Sequence, residues 1–319
     1  MTIRALIFIS VVLSLIVSCQ SKRQHDRGGT TEAMTVNYDN SPVKSVPKIE
    51  EQPVNVAVGP VPLKGQENII KERKEKAVLA MVLGAGLYRS IAVVPLLKKL
   101  KENAVDPIVI MGHGLSAVMA AYYSFGYKPD YIEWKFFKFF NELENEKPFT
   151  SKWLKLLDTK LLADLADKNI EDGKITLLLP LWNSEKNKVV FLKRGNLRKA
   201  LLASVDPYNK LNLLYKPAYT HGVVPLKELK DLGVTKVLSV DYLSSGISWK
   251  RGDGFLNGTY QKAASIQNKE KEKLKNNIWL TFPLKEFALD DVSTLSDLVH
   301  KSRSYSNEAI ELIKKEEKL

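Results

Sequence analysis

The chain has 319 residues, 45% of them apolar and five of them tryptophan, which suffices for one substantial core with appendages and not for several large domains. Its 48 Lys and Arg exceed its 36 Asp and Glu, for a net charge of +12. The lysines are nevertheless mixed with acids, as in Lys71-Glu72-Arg73-Lys74-Glu75 and Lys269-Glu270-Lys271-Glu272-Lys273, the pattern of solvated helical faces. This argues against a nucleic-acid partner and leaves attraction to anionic headgroups or surface polymers as the consequence of the excess charge.

At the N-terminus, Arg4 precedes an uncharged apolar run from Ala5 to Val17. A spanning helix needs about 20 apolar residues. This run is shorter and closes on Ser18-Cys19, so residues 1–18 read as a cleaved export signal. Ile16-Val17-Ser18-Cys19 resembles the bacterial lipobox, and the resemblance implies that Cys19 is acylated, with chains such as palmitate, and becomes the first residue of the working form. Cys19 is the only cysteine, so no disulfide can form within one chain. More than one acyl chain on it would give durable attachment to membrane lipid. Gln20 stands where an aspartate would favour inner-membrane retention, so the lipobox resemblance points to the outer membrane of a bacterial cell envelope. Residues 19–65 are polar and rich in Pro, Ser, Thr and Asn, a composition that cannot repay its ordering entropy by burial, and they read as a disordered tether. The folded domain is expected over residues 66–319, beginning with a short charged helix near Glu67–Glu75.

Lys76–Leu83 is an apolar run stopped by Gly84-Ala85-Gly86, which suits a buried strand entering a tight turn. Helical spacing follows over Ser90–Glu102, with Ile91, Val94, Leu97 and Leu100 on one face. Ile108–Met111 reads as a second strand that ends in glycine, and Ser116–Phe125 as a buried helix. Two strand-turn-helix units in succession imply a parallel sheet with helices on its faces. Aromatic residues crowd Tyr131–Phe140, where a helix packing on the core is the simple reading and a lipid-contacting or docking face around Trp134 the alternative. Ile175–Leu181 and Val189–Leu192 flank the polar stretch Asn183–Asn187 and predict a hairpin. Lys236–Tyr242 reads as another buried strand, Asp253-Gly254 as a surface turn, and the C-terminal tail as a charged helix.

In this order, the landmarks resemble the patatin-like phospholipase family. Gly84-Ala85-Gly86-Leu87-Tyr88-Arg89-Ser90 is similar to that family's glycine-rich oxyanion loop with its arginine, and Ile108–Ala117 to its strand and nucleophile elbow. Leu197–Pro207 is similar to its helix ending in Ala-Ser, and Gly222–Leu226 with Leu232–Asp241 to the segment after its catalytic aspartate. The resemblance covers roughly Lys76–Ile313 and implies a three-layer α/β/α fold with a mainly parallel central sheet. Members hydrolyse lipid esters with a serine in G-x-S-x-G and an aspartate in D-G-G or D-G-A.

Here both groups are missing. The elbow reads Gly112-His113-Gly114-Leu115-Ser116, with Gly114 at the nucleophile position, and Thr220-His221-Gly222 occupies the aspartate motif. Ser116 lies two places later, which on a helix turns a side chain about 200° and moves it about 3 Å. Serine catalysis needs a base within about 3 Å of the hydroxyl. The expectation is therefore a degenerate, catalytically inactive member that binds lipid, a fatty acid or an envelope protein and carries no cofactor. The alternative is a divergent acyl hydrolase using Ser116 with His113 or Asp241. Gly84, Ala85, Gly86 and Arg89 would retain an anion-binding, oxyanion-like turn. His113 and His221 beside the two lost positions bring to mind a metal, but two histidines without a third ligand make a poor zinc site, and none is expected.

Overall fold

The computed structural model describes residues 78–143, 146–222, 224–274 and 277–317. The export signal, the acylated Cys19, the tether and the helix near Glu67–Glu75 lie outside the described residues.

Strand β1 (Leu79–Leu83) runs into the Gly84-Ala85-Gly86 turn, a 3-10 segment (Leu87–Val93) and helix α1 (Val94–Glu102). The sequence suggests one helix from Ser90; the division falls where Pro95 enters the first turn of α1, a place where its missing N–H is of no consequence. Strand β2 (Val109–Gly112) is followed by α2 (Leu115–Ser124), buried on every side. The aromatic segment forms α3 (Pro129–Leu143), and its Phe136, Phe139 and Phe140 are in the core. The core reading thus holds for these three rings, while Trp134 on the same helix is exposed.

A short helix, α4 (Ser151–Leu156), leads through irregular turns to β3 (Thr176–Asn183) and β4 (Lys188–Leu192), the expected hairpin. The Asn183 carboxamide oxygen accepts the Glu185 and Lys186 N–H groups, and Asn187 takes φ +46°, so this turn is built from local side-chain chemistry. Then come α5 (Leu197–Val205), β5 (Tyr215–Pro217), α6 (Leu226–Asp231), β6 (Lys236–Asp241), α7 (Gly254–Lys273), β7 (Ile278–Thr281) and α8 (Leu295–Glu317). Asp253-Gly254 is not a surface turn: the Asp253 carboxylate accepts the Leu256 N–H and starts α7.

The strands form a sheet in the order β4-β3-β2-β1-β6-β7, with β5 against β3. The pairs β2–β1, β1–β6, β6–β7 and β2–β3 are parallel, and only the hairpin and β5 add antiparallel edges. The expected α/β fold with a mainly parallel central sheet is what forms. Alternate residues separate the two faces: Leu79, Met81 and Leu83 pack into the larger core with α1, α2, α3 and α8, while Ala80 and Val82 join Val109, Met111, Leu178 and Leu229 of α6 on the other side. Burial on both faces explains why these strands read as continuous apolar runs. Each fully buried Leu, Met or Phe adds roughly 1.5–3 kcal/mol. The centre of the sheet is thereby the rigid part, and the turns at the strand ends inherit its fixed geometry.

Candidate functional site

In parallel sheets with flanking helices, ligands bind outside the carboxyl ends of the strands. Here those ends are the Gly84–Gly86 turn, the elbow after β2 and the turn after β6. They meet because Leu83 of β1 lies opposite Gly112 of β2 and Val240 of β6, and the His113 N–H donates to the Leu83 carbonyl.

Gly114 stands at the elbow with φ +59° and ψ −130°, between the last residue of β2 and the first of α2. Few side chains tolerate this backbone, which is the strained strand-to-helix turn that would present a nucleophile. A Cβ on Gly114 would meet nothing nearer than the Tyr219 ring at 3.8 Å and the Ser204 carbonyl at 3.9 Å, so a Cβ fits there without a clash. Gly112 differs, because a Cβ there would stand 2.5 Å from the Ser116 carbonyl oxygen and 2.6 Å from the Ala117 Cα. It is glycine so that α2 can approach the strand end.

Ser116 is fully buried, and its hydroxyl lies 2.7 Å from both the Gly84 carbonyl and the Ser90 hydroxyl. It ties the elbow to the β1 turn. Asp241 is also fully buried; its carboxylate accepts the Leu243 and Ser244 N–H groups and, at 3.3 Å, the Thr281 hydroxyl. Ser116 and Asp241, two of the residues invoked for a divergent hydrolase, thus hold backbone turns.

By its place in the motif, Arg89 would offer a fixed charge to an anion. The structure instead buries it completely, its guanidinium donating to the Phe287, Tyr242 and Gly246 carbonyls at 2.6, 3.1 and 2.6 Å. Burial lowers its pKa to about 10, a cost offset by carbonyl dipoles rather than by a carboxylate at hydrogen-bonding distance. Arg89 binds the loops after β6 and β7 together and is a structural residue. The Gly84–Gly86 turn is equally crowded: a Cβ on Gly84 would stand 2.8 Å from the Val240 carbonyl, and one on Gly86 2.8 Å from the Tyr242 ring. Ala85 is buried beside them, and Leu87, next in the chain, is held at φ +46°.

His113 and His221 lie in different surroundings. His113 is buried at 1% exposure, whereas His221 is exposed and stacks on Trp182 with ring centroids 3.9 Å apart and 18° between planes. Partial burial, then the charge of Lys262, lowers the His221 pKa below its ordinary value, so this imidazole is neutral at pH 7. Its Nδ1 is 3.1 Å from the Thr220 hydroxyl, and Gly222 follows at φ +128°. Among the described residues no group of three or more His, Cys, Asp or Glu is placed to hold a metal ion.

The feature that sequence reading missed is an aromatic wall. Tyr219 packs its ring against Gly114, where a nucleophile would stand, and Tyr260 of α7 lies behind it at 5.4 Å. Burial raises the Tyr219 pKa well above the usual phenol value, so the group stays neutral. Beyond Tyr219 opens a groove of about 570 Å³, lined by Trp182, Pro207, Pro217, His221 and Phe255 together with Lys216 and Lys262. Trp182 comes from the β3 hairpin and Phe255 from the start of α7; no sequence spacing relates them.

No family model matches the chain, and no curated protein resembles it significantly in sequence. Among solved structures it is similar to one of full-length SpcU in complex with full-length ExoU from the type III secretion system of Pseudomonas aeruginosa, at 11% identity and a TM-score of 0.42, over 76% of this chain and 54% of that one. A structure of the type III effector protein ExoU gives 10% identity and a TM-score of 0.39, over 74% of this chain and 53% of that one. The chain therefore spans about half the length of the structures it matches.

Proposed function

We propose that this chain is a patatin-like lipoprotein of the bacterial envelope in which the hydrolytic centre is silent and the neighbouring groove holds lipid. The observation that carries the reading is Gly114: the turn has the backbone of a nucleophile elbow, a Cβ would fit there without a clash, and it bears a hydrogen atom. Support comes from its surroundings. The hydroxyl nearest in sequence, Ser116, is engaged by Gly84 and Ser90, and Tyr219 covers the crevice. The groove beyond Tyr219 offers an apolar lining together with lysine cations, which suits an amphiphile carrying negative charge. Attachment through acylated Cys19 would keep the domain close to its ligand.

Purified chain incubated with p-nitrophenyl esters and with phospholipid is expected to release no product above the buffer rate, and protein extracted from membranes is expected to carry lipid detectable by native mass spectrometry. Ester turnover that disappears in Ser116→Ala would overturn the silent-centre reading in favour of a divergent hydrolase. Protein free of lipid but recovered with an envelope protein at fixed stoichiometry would replace the lipid by a protein partner.

A further inference from the structure

The loop between α5 and β5 has a composition that the reading of the elbow leaves unexplained. Six large apolar side chains are exposed among the described residues, and three of them, Leu211, Leu214 and Phe255, at 38%, 41% and 52%, belong to this loop and the helix start beside it. We infer that this face rests on an anionic lipid bilayer, with Leu211, Leu214 and Phe255 entering the interface and lysines meeting the headgroups.

The loop is built to present those leucines. The Leu211 N–H donates to the Asp206 carboxylate at 2.8 Å and the Leu213 N–H to the Asn209 side chain at 3.2 Å. Asn209 and Asn212 take φ values of +53° and +48°, which asparagine tolerates better than most residues. The chain reverses twice, so that Leu213 packs on the core while Leu211 and Leu214 stay outside. The apolar tips are thus held in place by four polar contacts and turns, unlike side chains exposed by fraying. Phe255 joins them through Tyr208, whose ring centre is 4.9 Å away. The Tyr208 hydroxyl is anchored on Asp253 at 2.6 Å, an amphipathic ring of the kind that sits at headgroup depth.

Charge selects the partner. Lys210 lies over the Tyr208 ring at 5.3 Å, and Lys216 and Lys262 line the adjoining groove. The acids on this side are already engaged: Asp206 is buried under Leu211, and Asp253 accepts from Tyr208 and pairs with Lys147. Glu185, beside Ser184, whose N–H donates to the Leu214 carbonyl, is the acid that borders this face. Apolar tips bordered by long cationic side chains match a surface that is apolar below and anionic above, because lysine stems lie along the apolar layer while their ammonium groups reach phosphate. The inference depends neither on the silence of the elbow nor on acylation of Cys19.

The test uses the full chain with Cys19→Ser, which removes its only cysteine, so that Leu211→Cys can carry a single environment-sensitive fluorophore. A second chain carries the fluorophore at Lys101→Cys, exposed on α1. Phosphatidylcholine vesicles containing phosphatidylglycerol should shift the Leu211→Cys emission to the blue and leave the Lys101→Cys label unchanged, while phosphatidylcholine alone should do neither. Adding Leu214→Ser and Phe255→Ser should weaken vesicle affinity about tenfold with the thermal midpoint unchanged. An equal response at both labels, no response at Leu211→Cys, or a response that ignores phosphatidylglycerol would overturn the inference. So would a label that is quiet on vesicles and shifts only when an envelope protein is added.

Discussion

The strand ends around Gly84–Gly86 and Gly112–Ser116, and the groove face around Trp182, His221 and Phe255, lie on either side of Tyr219 and treat their side chains in opposite ways. At the strand ends, buried polar groups are consumed internally: Ser116 and Ser90 hold the turns together, and Arg89 donates to three backbone carbonyls. On the groove face, aromatic rings and lysines stand partly in solvent, with no comparable internal duty. The contrast teaches that residues which look catalytic by their place in a motif can be framework, while the side chains free to meet another molecule sit beside the motif.

The largest effect is expected where framework is removed. Arg89→Met should leave carbonyls of Phe287, Tyr242 and Gly246 unpaired in the interior and cost about 3 kcal/mol or more, measured as a fall in the denaturant midpoint. If stability were unchanged, Arg89 would be available for a ligand after all and the contrast would fail. The two elbow glycines sharpen it further. Gly112→Ala forces a Cβ onto backbone atoms at 2.5–2.6 Å and should cost about 3 kcal/mol. Gly114→Ala meets only ordinary van der Waals contacts, at 3.8–4.0 Å, and should cost only the backbone strain, about 1–2 kcal/mol. Equal penalties would mean that the crevice at Gly114 is closed to any side chain.

Ser116→Ala should destabilise by about 1 kcal/mol through the lost hydrogen bonds and leave any ester turnover where it was. The smallest effect concerns His221. Its folded pKa lies below the unfolded value of 6.5, so the unfolded chain binds protons first and stability falls as pH drops below about 6.5. With the ring partly in solvent, the loss should amount to a few tenths of a kcal/mol, and it should vanish in His221→Asn when unfolding is followed between pH 7 and 5.

The central strands were legible because burial on both faces writes itself into the chain as unbroken apolar runs: Leu79–Leu83 and Lys236–Asp241 are found where these runs stand. The hairpin was legible from its polar turn. Strand β5, three residues with a proline, carries no periodicity and exists through pairing with Leu181–Asn183. Helix α7 was obscured because its apolar positions, among them Leu256, Tyr260 and Ala263, are sparse among polar residues. At the site, glycine at position 114 was visible in the sequence, and its backbone angles were not. Arg89 and Ser116 read as candidates because a motif gives the residue type and withholds its partners. The groove was out of reach altogether, since Trp182, His221 and Phe255 come from separate elements brought together only by the fold.

The most direct test of the silent elbow is reaction of the purified chain with a fluorophosphonate probe, read by intact-mass and peptide mass spectrometry. The proposed reading predicts no adduct on Ser116, whose hydroxyl is buried and engaged by Gly84 and Ser90. A stoichiometric adduct on Ser116 would contradict it, and would return that residue to the role of nucleophile.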